Sequence, residues 1–145
     1  MQMLTIKQGE KTHQISHVEH MVHHKNIENV LIHGLLSHNE AYKLGLIKED
    51  ISLSEVQERR KNKRIKVDDK LTVTIHDLVS FYFNSKNPML YKRKGIKDEL
   101  VIVLINSDII DSKRTDEKFA IFSDGNAGSS STKFFIGLSM QINIF

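Results

Sequence analysis

The sequence predicts an α+β fold in one domain that spans residues 1–145. Helical patterns occur in the first half of the chain, and short apolar segments typical of strands follow in the second half. Residues 1–18 show little periodicity, and we expect them to form an irregular lead-in. No internal repeat and no linker divides the chain, whose length suits one domain with a modest core. Early helices followed by later strands are typical of the α+β class.

Two short helices are predicted in the first half. Asn26 can cap a helix whose apolar residues share one face, and Gly34 supplies a C-terminal stop. Residues 35–50 read as a loop with one helical turn. Ser54 and Gln57 have the spacing of a capping box, so a second short helix is expected to begin there.

The strand signals follow in order. Residues 71–75 alternate apolar side chains with threonine, as a half-buried strand does, and the short aromatic segment 79–83 is a second candidate. The continuous apolar run of residues 99–105, ELVIVLI, predicts a strand buried on both faces. Residues 119–122, FAIF, predict another strand, which leads into a loop rich in glycine and serine. The tail, residues 132–145, could start a helix.

The composition excludes several classes of protein. Hydrophobic content of 39% and charged content of 27% are ordinary for a globular chain. No apolar run approaches the roughly 18 residues that a membrane span needs. The first residues, MQMLTIKQGEKTHQ, lack the apolar core of a signal peptide. Cysteine is absent, which excludes disulfide and thiolate chemistry. A cytoplasmic protein without a membrane segment is expected.

A run of positive charge stands out against the mild net charge of +3. Residues 59–66, RRKNKRIK, carry six basic side chains and no acidic one. Such a run can neutralise several phosphates of a nucleic acid, and it can equally be a solvated helix face or loop. The aromatic side chains of residues 81–83 and Tyr91 could stack on bases, although the first three are at least as well suited to a core.

Seven of the eight histidines lie within the first 38 residues. Spacings of three and four could place several on one helical face, as a zinc site requires. No HExxH motif and no cysteine accompanies them, so we expect no metal, and a histidine that hydrogen-bonds within a pocket fits better. Nucleophile-elbow, phosphate-loop and dinucleotide motifs are also absent from the sequence.

Four segments in order resemble one family. Residues 76–91, HDLVSFYFNSKNPMLY, resemble its HDYVPFYF…PMLY segment, and HMVHHKNIENVLIHGLLSHNEA resembles its H-I-T-H-x-x-N-L…I-L…G-L-L-x-H-N segment. VQERRKNKRIKV resembles its I-Q-x-R-R…V segment, and FSDGNAGSSSTKFF its F-T-D-x-x-A…T-x-F-Y segment. The family is DarT, the toxins that ADP-ribosylate single-stranded DNA. The resemblance covers residues 19–138.

The resemblance implies an ADP-ribosyltransferase fold, a split and mostly antiparallel sheet with N-terminal helices and a cleft for NAD. It implies an enzyme that transfers ADP-ribose from NAD to a base, usually thymidine, in single-stranded DNA. The implied partners are single-stranded DNA and a macrodomain antitoxin that binds the toxin or removes the mark. The basic run would then contact DNA.

Site residues follow from the same match. The NAD-contacting histidine of the family falls on His20, with Met21 and Val22 in place of its Ile-Thr. Further cofactor contacts would fall at Asn29 and Ser37. The family's catalytic arginine falls on Arg59, where a cation can orient the pyrophosphate. The DNA contacts of the basic run are expected at Arg60, Lys61, Lys63 and Arg64.

Three departures qualify the match. Leu78 and Ser80 replace the tyrosine and proline of HDYVPFYF. The family's catalytic glutamate belongs to a later Q-A-E motif, and no glutamate follows Glu117 in this chain. We therefore expect a domain that is incomplete at its C-terminus and inactive or crippled. The alternative is a non-catalytic module that binds single-stranded DNA.

Overall fold

A computed structural model describes residues 4–8, 10–51, 54–84, 86, 88–111 and 120–136. Helices and antiparallel strands are mixed, which confirms the predicted α+β class, and the described strands form four antiparallel pairs. In chain order the elements are β1 (Leu4–Gln8), β2 (Lys11–Ile15), β3 (His17–His23), α1 (Ile27–His33), α2 (His38–Lys43), α3 (Ser54–Lys61), β4 (Arg64–Lys66), β5 (Thr72–Thr74), α4 (Pro88–Lys92), β6 (Leu100–Asn106), α5 (Asp108–Asp111), β7 (Ile121–Ser123) and β8 (Phe134–Ile136). Short 3-10 turns occupy His24–Asn26, Ile75–Asp77 and Lys94–Glu99.

The longest strand pair joins β3 to β6. Its register runs from His17 opposite Asn106 to His23 opposite Leu100, so all seven residues of each strand are paired. The predicted apolar strand is therefore confirmed as β6. Burial on both of its faces is wrong, because the Leu104 side chain is 60% exposed. An antiparallel strand can keep one face in water, and here alternate residues do so near the C-terminal end.

The N-terminal residues form a hairpin rather than the irregular lead-in that the sequence suggested. Strands β1 and β2 pair antiparallel from Leu4 opposite Ile15 to Gln8 opposite Lys11. Leu4 is buried against Phe122, with partly buried apolar side chains around them. The hydroxyl of Ser107 donates to the carbonyl of Ile15 at 2.8 Å and so attaches the hairpin to the end of β6.

Helix α1 ends as predicted but begins differently. Gly34 adopts a positive φ of 79°, a conformation that glycine reaches without strain, and its N–H donates to the carbonyl of Val30. Asn26 makes no side-chain cap, so its predicted capping role is wrong. Its buried amide instead bonds the backbone of residues 48 and 49. The predicted helical turn within residues 35–50 is confirmed as α2.

Helix α3 begins at Ser54 as expected, although the side chain of Ser54, and with it the capping box, lies outside the described residues. The predicted strand at residues 71–75 is confirmed in its centre as β5, which pairs with β4. Residues 79–83 form no strand. Tyr82 makes a single bridge to Glu19 of β3, with backbone hydrogen bonds of 2.7 and 2.8 Å.

The last described strands, β7 and β8, pair antiparallel across the loop of residues 124–133. The predicted FAIF strand is thus confirmed from Ile121, while Phe119 lies outside the described residues. The predicted helix in the tail is wrong at Phe134–Ile136, which is β8, and residues 137–145 lie outside the described part. None of the described helices has the length and apolar character needed to cross a membrane.

Candidate functional site

One cavity of about 180 Å³ joins segments that are far apart in the sequence. Its walls come from β3, from α2 and the residues after it, from α3, and from the 3-10 turn at Ile75–Asp77 with the chain that follows. The lining residues are His20, Met21, Val22, His23, Asn26, Leu36, His38, Ala41, Tyr42, Ile47, Glu49, Asp50, Ile51, Gln57, Arg60, Ile75, His76, Leu78, Val79, Ser80 and Tyr82. Three of the four segments quoted above, HMVHH…LLSHNEA, VQERR and HDLVSFYF, therefore meet at one place.

The β3 wall presents His20 in a defined tautomer. Its Nδ1 lies 2.7 Å from the carbonyl oxygen of Ser80. A carbonyl only accepts, so Nδ1 carries the proton and the neutral ring keeps Nε2 as an acceptor. Burial lowers the pKa of His20, and this hydrogen bond raises it by a smaller amount. The pKa therefore lies below the ordinary 6.5, and the ring is neutral at pH 7. Because the bond uses the backbone, replacement of the family's proline by Ser80 leaves it intact.

Stacked rings form a second wall. The His38 ring lies between those of His76 and Tyr42, with centroid separations of 4.2 and 4.5 Å. The hydroxyl of Tyr42 donates a short hydrogen bond to Asp50, which raises the pKa of Tyr42 to about 12. Each ring is thus held by a neighbour, and the wall is preorganised for a planar or polar ligand.

Three side chains in the lining carry a buried polar atom that has no hydrogen-bond partner within the described part of the chain: Oε1 of Gln57, Nε of Arg60 and Nε2 of His76. Burial of such an atom without a partner costs roughly 1–3 kcal/mol. Buried polar groups of native proteins are nearly all paired, by protein, water or ligand. Together these atoms offer one acceptor, one cationic donor and one imidazole nitrogen. Such a set suits a ligand that carries hydroxyl groups as well as an anionic group.

One cation, Arg60, acts on His76 in a lining that also carries the carboxylates of Glu49 and Asp50. Burial lowers the pKa of His76, and the neighbouring His38 and Arg60 lower it further, while Asp77 and Asp50 oppose them. The ring is therefore neutral at pH 7, and Arg60 is the lining residue with a permanent positive charge. An anion placed between them would be attracted to the guanidinium and could accept hydrogen bonds from both residues.

Amide and hydroxyl side chains hold the segments that carry this lining. Asn26 accepts from the backbone N–H of Lys48 at 2.8 Å, and Asn29 donates to the carbonyl of Leu46 at 2.7 Å. Ser37 caps α2 by accepting from the N–H of Glu40 at 3.2 Å. Asn29 and Ser37, which the sequence assigned to the cofactor, are not among the lining residues; they brace the segments on either side of α2.

Both carboxylates of the described lining are engaged. Glu49 pairs with Lys25 at 3.6 Å, and Asp50 accepts from the Tyr42 hydroxyl. Each partner stabilises its carboxylate and screens part of the negative charge from a ligand in the cavity.

The basic run divides into different environments. Arg60 lines the cavity, whereas Arg59, the predicted catalytic residue, is exposed and does not line it. Lys61 and Arg64 are exposed, as a DNA-contacting role requires. Lys63 has an internal partner: its ammonium donates to the carbonyl of Ser129 and lies 4.8 Å from the centroid of the Phe134 ring.

The N-terminal histidines do not gather on one helical face. Within the described ranges, one group could approach a metal: His23, His24 and Glu99, whose ligand atoms lie within 4.8 Å of one another. Nδ1 of His23 accepts from the N–H of Lys25 at 3.2 Å, so the proton of the neutral ring sits on Nε2, which faces Glu99 at 3.7 Å. A protonated Nε2 opposes metal ligation there.

Sequence reasoning missed His38, Tyr42, Asp50, Gln57 and His76 as members of the site. A signal was present, because His38 and His76 both fall inside the quoted motifs, next to Asn39 and Asp77 respectively. The link between the two motifs is long-range, so no local spacing rule could reveal it.

Comparisons with known proteins agree on one family. A family model described as "ssDNA thymidine ADP-ribosyltransferase, DarT" matches residues 20–144. A DNA ADP-ribosyl transferase–DNA ADP-ribosyl glycohydrolase fusion protein of Thermosipho africanus (strain H17ap60334) is 29% identical over 119 residues, which are 80% of this chain and 28% of the relative. The chain thus spans little more than a quarter of that relative's length.

Solved structures show the same fold. DarTG of Thermosipho africanus in complex with ADP-ribose superposes with a TM-score of 0.72 at 27% identity, covering 87% of this chain and 32% of the other. DarT of Thermus sp. 2.9 matches in its complex with ADP-ribosylated ssDNA at a TM-score of 0.68 and 21% identity. Its NAD+ complex matches at 0.65 and 20% identity, and each Thermus match covers 91% of this chain and 61% of the other. The predicted ADP-ribosyltransferase fold is confirmed.

Proposed function

Because the chain belongs to the DarT family of single-stranded DNA thymidine ADP-ribosyltransferases, we propose that its cavity binds NAD and that the protein transfers ADP-ribose to thymidine in single-stranded DNA. The convergence of three motif segments on one cavity carries the proposal. Support comes from the Thermus relative, whose structures contain NAD+ and ADP-ribosylated ssDNA. Both substrates are found in the cytoplasm, where we place the protein.

Each lining group has a role that its chemistry supports. Nε2 of His20 accepts a hydrogen bond from a ribose hydroxyl, because Nδ1 is the protonated nitrogen. Arg60 holds the pyrophosphate, since a guanidinium binds phosphate oxygens with charge-assisted hydrogen bonds. Gln57 accepts from a further hydroxyl or amide. The ligand then satisfies the three buried polar atoms of the lining that find no partner among the described residues.

The reaction that this site would support is a substitution at the ribose. The bond from the ribose carbon to nicotinamide breaks, the bond to the base forms, and the base loses a proton. Residues of this chain contribute by holding the folded substrate beside the base and by placing positive charge at the pyrophosphate. Nothing in this role requires a metal ion.

A macrodomain antitoxin is the proposed protein partner. The Thermosipho relative carries a DNA ADP-ribosyl glycohydrolase in the same polypeptide, which is the activity that would reverse the modification. For this chain we propose that the glycohydrolase acts on the same DNA mark, from a separate or a fused domain.

A second candidate function is binding of single-stranded DNA and NAD without turnover. The engagement of Glu49 and Asp50 favours it, because the transfer requires an electrostatic partner for the developing positive charge on the ribose. The two candidates differ in whether modified thymidine accumulates.

The test compares two adjacent arginines. Arg60→Gln and Arg59→Gln each remove one positive charge from the same helix, so their effects on long-range electrostatics match. We expect Arg60→Gln to weaken NAD binding by about 10- to 100-fold, the usual loss for a hydrogen bond to a charged group, as measured by titration calorimetry. Arg59→Gln should change it by less than about threefold.

If Arg59→Gln weakened NAD binding more than Arg60→Gln did, Arg59 would be the arginine that contacts NAD, as the sequence predicted. Arg60 would then not belong to the site. His20→Gln supplies an independent check, since loss of NAD binding in that variant requires the β3 wall to contact the ligand. Transfer is followed by mass spectrometry of a thymidine-containing oligonucleotide.

A further inference from the structure

Tyr91, the last tyrosine of the chain, has a side chain that is 72% exposed, more than any other aromatic side chain that the structure describes. Of the other two tyrosines, Tyr42 bonds Asp50 through its hydroxyl, and Tyr82 is partly buried where its backbone pairs with β3. Tyrosines usually bury most of their ring, because the ring is largely apolar. Tyr91 gains little from folding in its present place, and its ring is available to a ligand.

A second basic segment surrounds this ring. Four basic residues lie within residues 92–97, and Lys92, Lys94 and Lys97 are exposed. Nζ of Lys94 lies 5.1 Å from the centroid of the Tyr91 ring, within the range of a cation–π contact. Two acidic residues follow, of which Glu99 is drawn toward His23 at 3.7 Å. An exposed aromatic ring therefore stands among positive charges.

We propose that residues 91–97 form a contact surface for single-stranded DNA, in which Tyr91 stacks on a base and the lysines contact the flanking phosphates. The choice of DNA rests on the function proposed above. The surface is separate from the cavity and from the basic run at residues 59–66; the sequence suggested only that the Tyr91 ring could stack on a base.

The chemistry of the surface favours a single strand over other partners. Proteins that hold single strands combine aromatic side chains, on which bases stack, with a positive track for the backbone. Bases of a duplex are already stacked on each other and offer no free face. A protein partner fits poorly, because the cores of protein interfaces are depleted in lysine and this segment is rich in it.

The contact with Lys94 prepares the ring for this role. The ammonium rests on one face and restricts the ring, while an exposure of 72% leaves most of the remaining surface in solvent. A base that stacks on the ring brings its phosphates near the lysines at positions 92, 94 and 97. Each phosphate neutralised releases counterions and adds salt-dependent affinity.

The sequence offers a sharp experiment, because the chain contains no tryptophan. Tyr91→Trp places the single tryptophan of the variant at the proposed contact. We expect oligothymidylate to quench this fluorescence, and an abasic oligonucleotide of equal length, which has the charge but no bases, to leave it largely unchanged. Leu31→Trp, at a side chain on α1 that is 80% exposed, is the matched control and should not respond.

Affinity gives the second measurement. Tyr91→Ala should weaken binding of oligothymidylate about 5- to 150-fold, which corresponds to the 1–3 kcal/mol typical of one base–aromatic stack. Fluorescence anisotropy of labelled oligonucleotide measures it for the whole chain. Tyr91 is exposed, so the variant is expected to fold, and circular dichroism checks that it does.

The outcomes separate this inference from the proposed function. DNA binding that neither quenches Tyr91→Trp nor changes in Tyr91→Ala would overturn the contact surface and leave the proposed function standing. Equal quenching by the abasic strand would overturn the stacking role. Quenching by oligothymidylate in a protein that neither binds NAD nor transfers ADP-ribose would support the surface and overturn the enzyme. Failure to bind any single strand would overturn both.

Discussion

The side-chain amide of Asn39 donates a 2.8 Å hydrogen bond to Oδ1 of Asp77, and so connects helix α2 to the turn that carries His76. The preceding residues repeat the pairing, because the rings of His38 and His76 stack with their centroids 4.2 Å apart. Two dipeptides, His-Asn and His-Asp, thus bind each other over a separation of 38 residues. Both rings line the cavity, so this double contact fixes the geometry of one of its walls.

The Asn39–Asp77 bond can be tested by exchanging its two ends. Asp77→Asn should lower the free energy of unfolding by about 1–2 kcal/mol, because asparagine has one acceptor oxygen and cannot accept from both Asn39 and Thr74 in this geometry. Adding Asn39→Asp should recover part of this loss, since an aspartate there can accept from the new amide and also suits the first turn of α2. Urea unfolding measures both effects.

The control for that exchange is Asp69→Ala. Asp69 pairs with Lys66 at 3.2 Å, but its side chain is 99% exposed, and such surface pairs contribute little. Loss of stability in Asp69→Ala equal to that in Asp77→Asn would show that the effect reflects net charge and not the contact. Absence of any recovery in the double variant would show that the Asn39–Asp77 bond does not stabilise this wall of the cavity.

His20 makes stability depend on pH. Burial lowers its pKa in the folded protein below the ordinary 6.5, so below pH 6.5 the unfolded chain takes up a proton that the folded chain resists. The contribution is complete above pH 6.5 and declines as pH falls toward the folded-state pKa. We expect His20→Gln to flatten the pH dependence of unfolding in this window, as urea titrations at several pH values would show.

His33→Gln is the matched control for this prediction, because it also removes one histidine but from an exposed position on α1. Its pH dependence should follow that of the unaltered protein. If both variants flattened the curve equally, the effect would come from the number of histidines, and the environment of His20 would have no special part.

Lys63 and Arg64 should separate into a structural and a DNA-binding residue. Lys63→Met removes the bond to the Ser129 carbonyl and the contact with Phe134, so we expect a loss of about 1–2 kcal/mol in the free energy of unfolding. Arg64→Gln should leave stability within about 0.5 kcal/mol and reduce the salt dependence of binding to single strands by about 0.7 in slope. Because Lys63 is not expected to contact DNA, neutralising both should flatten the slope by about the same 0.7.

Anisotropy titrations over a range of salt concentrations, paired with urea unfolding, measure the two quantities independently. A Lys63→Met protein of unchanged stability and reduced salt dependence would place Lys63 on the DNA path and show that its contact with the loop is incidental.

The sequence allowed the central elements to be predicted, since β6, α1 and β5 carry strong periodic or apolar patterns. It did not allow the N-terminal hairpin to be predicted, because β2 is largely polar and Leu4 and Ile15 are buried by residues from distant parts of the chain. Residues 79–83 look like a strand because they are aromatic and β-branched. Their backbone nevertheless pairs with β3 at Tyr82 alone, a long-range choice that local propensity does not determine.

The site was predictable only in part, because it too depends on contacts between distant parts of the chain. His20 follows from a motif match, and the structure places it in the cavity. The match gave Arg59 as the cation, while the orientation of α3 puts Arg60 on the cavity side. Neighbouring residues of a helix point about 100° apart, so Arg59 and Arg60 face different surroundings, and the catalytic role of Arg59 stays a prediction.

The last prediction concerns turnover. We expect a polypeptide of residues 1–145 to bind NAD and single-stranded DNA while transferring ADP-ribose slowly, because both lining carboxylates are engaged, Glu49 by Lys25 and Asp50 by Tyr42. Loss of one well-placed electrostatic group typically reduces a rate on the order of 10²- to 10³-fold. Mass spectrometry of thymidine oligonucleotides incubated with NAD measures the transfer, and calorimetry on the same preparation verifies that NAD binds. Rapid transfer would mean that a lining carboxylate acts after all; Asp50→Asn or Glu49→Gln should then abolish it, whereas Asp69→Asn, at an exposed side chain outside the cavity lining, should not.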